Sequence, residues 1–109
     1  MKNNKICALK KTTDFAAIIK KHEVFNNVIF KIRARPNCLN QLRFGLAVNK
    51  KNFPKAVTRN LIKRQLRQII QRVQPKSIDM IVIVKSNYIN NKYINNAKFF
   101  NEVYNLIHF

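Results

Sequence analysis

The chain has 109 residues, enough for one domain, and its 47% apolar residues suffice to fill a single core. Twenty-two Lys and Arg stand against four acids, a net charge of +18, where ~2–8 already keeps a small domain soluble. That balance argues against a merely solubilising surface, and no apolar run approaches the ~20 residues of a helical bilayer span, which argues against a membrane reading.

In chain order, residues 1–8 read as a flexible basic leader without the continuous apolar core of a signal peptide. Thr12 or Thr13 then caps a first helix over Asp14 to Lys21, with Phe15, Ile18 and Ile19 on one face. From Asn27 to Arg35 the residues alternate, Val28, Phe30 and Ile32 against Ile29, Lys31 and Arg33, which predicts a strand ended by Pro36. A turn over Pro36 to Gln41 leads to a second strand, Arg43 to Asn49, and the two strands are expected to form a hairpin. A long helix follows and ends before Pro75; Pro54 suits its first position and Thr58 its cap, so the start has two readings. Met80 to Val84 is a continuous apolar run, the pattern of a strand buried on both faces. A last helix spans about Asn96 to Ile107, with Phe100, Val103, Tyr104 and Ile107 at core spacing. The order α-β-β-α-β-α predicts a single α+β domain over residues 1–109, a small sheet covered by helices like a sandwich.

The acids Asp14, Glu23, Asp79 and Glu102 leave the stretch from Val24 to Ile78 without a negative charge, although it carries thirteen basic residues. Such a field repels itself until a polyanion neutralises it, and nucleic acid does so with a gain in affinity from released counterions. The long helix concentrates the effect. At ~100° per residue, Ile62, Leu66, Ile69, Ile70 and Val73 share one sector, the core stripe. Lys63, Arg67, Asn60, Gln71 and Arg64 fill the adjoining sector, with Arg59 at the border, and Leu61 lies well away from the stripe. Arg59, Lys63 and Arg67 repeat like charge at i, i+4, an arrangement that disfavours an isolated helix. Arg suits bidentate phosphate contact, and Lys50, Lys51 and Lys55 extend the positive surface into the preceding loop.

Arg43-Phe44-Gly45-Leu46-Ala47-Val48-Asn49-Lys50-Lys51, followed by Lys55-Ala56-Val57-Thr58-Arg59-Asn60-Leu61-Ile62-Lys63-Arg64-Gln65-Leu66-Arg67, resembles the signature of the bacterial ribonuclease P protein subunit. That signature is a GLxVxKK strand and loop followed by an AVxRNRIKRxxR helix. Leu9-Lys10-Lys11 with Asp14-Phe15 is similar to the family's LxKxxDF start. Two positions depart: Leu61 stands in place of the second arginine of RNR, and Asn52-Phe53-Pro54 replaces the family's loop glycine.

The resemblance implies an accessory subunit. A large RNA with bound magnesium would cleave the 5′ leader from precursor tRNA, while the protein, with no cofactor or metal of its own, holds that RNA and the leader. Lys50, Lys51, Lys55, Arg59, Asn60, Lys63, Arg64 and Arg67 would contact the catalytic RNA. The leader cleft would take Phe15, Ile19, Phe30, Lys31 and Val48 from the first helix and the two strands. The resemblance also implies a left-handed crossover through the basic helix, against the general right-handed preference. The residues agree on catalysis: His22 and His108 lie far apart in sequence, the acids form no pair, and no nucleophile–base motif appears. No small-molecule substrate is expected. Cys7 and Cys38 lack neighbours at metal-ligand spacing, which predicts reduced thiols and a cytoplasmic protein. A ribosomal or other structural RNA-binding protein is the alternative that charge and size alone allow.

Overall fold

The computed structural model describes residues 5–9, 23–37 and 39–107. Five strands form one mixed sheet: β1 (Lys5–Ala8), β2 (Glu23–Asn26), β3 (Phe30–Pro36), β4 (Gln41–Ala47) and β5 (Ile78–Val84). Helix α1 (Ala56–Ile70) joins β4 to β5; a 3-10 turn, Ser86–Asn90, and helix α2 (Tyr93–Asn105) follow. The result is a small α+β domain. The predicted first helix, with Asp14, Phe15 and Ile19, lies outside the described residues.

The strand order is β1-β4-β5-β3-β2. The apolar run expected to be buried on both faces is the central strand: Ile78 through Val82 and Val84 are all buried. A parallel ladder with β4 and an antiparallel ladder with β3 flank it. This overturns the expected hairpin. The consecutive strands β3 and β4 do not pair, because β5 lies between them and takes a ladder on each side.

Two further strands were not expected. Lys5–Ala8 is not a loose leader but an edge strand parallel to β4, with Ile6 packed against the core. Glu23–Asn26 pairs antiparallel with β3, and the turn between them is closed by Asn27, whose Oδ1 accepts from the backbone N–H of Ile29 (2.8 Å) and Phe30 (2.9 Å). That Asn-centred turn occupies the first residues of the predicted strand, so the pairing begins at Phe30.

Both helices pack on one face of the sheet. Ile62, Leu66, Ile69 and Ile70 of α1 meet Phe100, Val103 and Tyr104 of α2 in one cluster. The same cluster takes Phe30, Ile32 and Ala34 of β3, Leu42 and Phe44 of β4, and Ile78, Met80, Val82 and Val84 of β5. The stripe read from the sequence is therefore the core stripe, Val73 being half-buried at its end. Strand alternation puts Lys31, Arg33 and Arg35 of β3, Arg43 of β4, and Asp79 and Ile81 of β5 on the opposite, outer face.

Candidate RNA interface

The interface is built on α1 and the loop before it. The helix starts at Ala56, between the two starts the sequence allowed. Lys55 is its N-cap residue, and no side chain caps it. Order comes instead from the loop. Phe53 is buried in the core at 1% exposure, and Asn49 closes a turn by accepting from Asn52 N–H on Oδ1 (2.8 Å) and from Phe53 N–H on its carbonyl (3.1 Å). Arg59 reaches back from the helix and donates from Nη1 to the carbonyls of Phe53 and Pro54, both at 2.9 Å. Asn52-Phe53-Pro54 thus forms a braced loop where the resemblance implies a glycine.

This loop presents Lys50, Lys51 and Lys55 to solvent. On α1, Asn60, Arg64 and Arg67 are exposed, and Arg59 and Lys63 are half-buried. Lys63 and Arg67 also line a depression with Ala8 and Leu9 at the β1 end and Phe44, Gly45 and Leu46 of β4, so the positive surface runs from helix to sheet edge. Arg64 and Arg67 line another with Gln68, Gln71 and Arg72, further along the helix. Asn60, Lys63, Arg64 and Arg67 therefore share one side of α1, Lys50, Lys51 and Lys55 are exposed in the loop before it, and Arg59 is turned partly to bracing. Helix α1 has no acid to offset them.

The predicted leader cleft is redistributed. Phe30 is fully buried on the helix-covered face, its ring centroid 5.8–6.1 Å from those of Tyr88, Phe99 and Phe100. It is a core aromatic and presents no face for a base. Val48 belongs to the same core. Phe30 and Lys31, both expected in the cleft, stand on opposite faces of β3, and Phe30 is on the face that meets the helices. Lys31 does lie on the outer face. Phe15 and Ile19 lie outside the described residues.

The outer face carries basic residues that sequence reasoning missed. Arg35, Asp79 and Arg43 stand opposite one another on β3, β5 and β4. Arg43 grips Asp79 with two bonds, Nε to Oδ1 at 2.7 Å and Nη2 to Oδ2 at 2.6 Å, while Arg35 Nε donates to Oδ2 at 3.3 Å. Asn37 Nδ2 adds a bond to Oδ1 at 2.9 Å. Burial alone would raise the Asp79 carboxyl, but hydrogen bonds from Arg43 and Asn37, the Arg43 charge and the Arg35 bond outweigh it and hold the carboxyl below its ordinary value of 3.8. Two arginines are thereby fixed side by side across the sheet. The signal available in advance was the two-residue spacing of Lys31, Arg33 and Arg35, which puts three cations on one face.

A family profile described as ribonuclease P matches residues 3–108. The ribonuclease P protein component of Mesoplasma florum is 38% identical over 107 residues, covering 94% of each chain. The fold is similar to the ribonuclease P protein of Staphylococcus aureus, with TM-score 0.79, 27% identity, and 91% and 93% of the two chains covered. It is equally similar to that of Thermotoga maritima, with TM-score 0.78, 27% identity, and 93% and 98% covered. Nearly end to end, in sequence and in fold, this chain belongs to the family of bacterial ribonuclease P protein components.

Proposed function

We propose that this tRNA-processing subunit binds the catalytic RNA of its holoenzyme through the exposed side of α1 and the 50–55 loop, and guides the 5′ leader of precursor tRNA along the outer face of the sheet. The observation that carries the reading is the acid-free array of Asn60, Lys63, Arg64 and Arg67 on a helix anchored by its opposite face, with Lys50, Lys51 and Lys55 exposed in the loop before it. Cations held on a rigid element neutralise phosphates without the entropy of ordering a loop. On the outer face, Lys31 with Arg33, Arg35 and Arg43 supplies charge that tolerates a leader of any sequence.

In this reading the RNA performs the hydrolysis, and the chain contributes binding in the cytoplasm. Asp79, the buried acid on the leader-facing side, is saturated by Arg43, Arg35 and Asn37 and serves as neither base nor metal ligand. The magnesium implied by the resemblance is assigned to the RNA in this reading. Reconstitution with a bacterial ribonuclease P RNA and precursor tRNA at low magnesium tests the reading. Leader cleavage should exceed that of the RNA alone; equal rates would reject it.

A further inference from the structure

Val57 and Leu61 stand one turn apart on the solvent side of α1, 81% and 42% exposed. Single exposed apolar residues need no explanation. These two, however, share one shallow depression with Asn60, Lys63, Arg64 and Arg67. A phosphate laid against the valine or the leucine would lose water and gain no donor. A duplex, which offers mainly phosphate and sugar to such a surface, is therefore matched by the rim and not by the floor. An unpaired nucleotide matches both: its base has an apolar face and a hydrogen-bonding edge, and its phosphate is an anion. Apolar side chains pack against bases taken out of the stack in other nucleic-acid complexes. A second copy of this chain is opposed by the +18 charge that each copy carries.

We propose that Val57 and Leu61 form the floor of a subsite for an unpaired nucleobase of the RNA, with Asn60 addressing the base edge and Lys63, Arg64 and Arg67 the flanking phosphates. The subsite rests on the reading of α1 as the RNA-binding side and says which part of an RNA meets its middle. It also divides the labour on the helix: charge supplies salt-dependent affinity, and the apolar pair supplies a component that salt does not screen.

The test uses the full chain with two probes, a mixed-sequence RNA single strand of about 16 nucleotides and a duplex of equal length, titrated over a range of salt. Leu61→Ala should weaken single-strand binding about fivefold and Val57→Ala about threefold, as loss of part of a buried apolar contact. Duplex affinity and the salt slope should stay unchanged. Leu61→Met, which keeps the apolar volume, should restore the single-strand affinity, and this guards against a folding defect in the alanine variant. Single-strand binding by Leu61→Ala equal to wild type would overturn the subsite, as would equal losses on both probes. So would sedimentation showing a dimer that Leu61→Ala dissolves. Arg64→Ala separates the two levels: if it weakens both probes while Leu61→Ala weakens neither, the basic face stands and the subsite falls.

Discussion

At the scale of single residues, the cations on this surface do different work. Arg64 is exposed, and no hydrogen bond within the chain occupies it among those described. Its replacement by alanine should reduce the slope of log affinity against log salt by about one, as one phosphate contact is lost; an unchanged slope would remove Arg64 from the contacts. Arg59 spends Nη1 on the carbonyls of Phe53 and Pro54. Arg59→Ala should therefore lower thermal stability by about 1 kcal/mol as well as weaken RNA binding, a combination not expected of Arg64→Ala. Asp79 is 0% exposed and faces two arginines. Asp79→Asn keeps the shape and removes the charge, and should cost about 3 kcal/mol in a denaturant titration. Because the folded carboxyl titrates below its ordinary 3.8, its contribution is complete above that value and is lost as pH falls beneath it. Acid unfolding of the wild type should begin there, and the Asn variant should show a shallower acid limb.

At the scale of elements, the same ionic link staples β3 and β4 across β5, while aromatic residues staple the helices. Tyr88 Oη donates to Gln65 Oε1 of α1 at 2.9 Å, and Tyr104 Oη of α2 donates to the Gln74 carbonyl at 2.8 Å and accepts from Lys76 N–H at 3.0 Å. Burial pushes both phenols up to about 12. Raised folded values mean that stability is complete below the ordinary 10 and is lost as pH rises toward 12. Alkaline melting should follow that window, and Tyr104→Phe should flatten it. Phe30 is the element-scale correction. As a core residue under α2, Phe30→Ala should cost about 3–5 kcal/mol, seen in thermal melting. At temperatures where the variant remains folded, leader affinity should stay unchanged, whereas a base-stacking role would cost affinity without that loss of stability.

For the whole molecule, what was legible in advance was whatever is local. The stripe Ile62, Leu66, Ile69, Ile70 and the basic sector beside it follow from the helical repeat, and the burial of Met80, Ile81, Val82 and Val84 on both faces of the sheet follows from an apolar run too short for a helix. The partner of β5 was not legible, because pairing joins residues such as Arg35 and Asp79 that lie 44 positions apart, and no periodicity spans that distance. Nor was the inward face of β3, since alternation separates two faces without naming which one is covered. Lys5–Ala8 looked like a basic tail because an edge strand needs only one packed side chain, Ile6, to join the sheet. The basic side of α1 is independent of these errors, because it depends only on the repeat of one helix and the loop next to it.

The architecture that results is a basic helix on one layer and a basic sheet face on the other, separated by a single core. In the proposed reading, each of these two surfaces holds one RNA segment. Reconstitution with a bacterial ribonuclease P RNA and precursor tRNA at low magnesium addresses that claim most directly. Wild-type protein should raise the rate of 5′ leader removal above that of the RNA alone, and a combined Lys63→Ala, Arg64→Ala, Arg67→Ala variant that still folds should lose most of the gain. No enhancement by the wild type, or full enhancement by the triple variant, would contradict it.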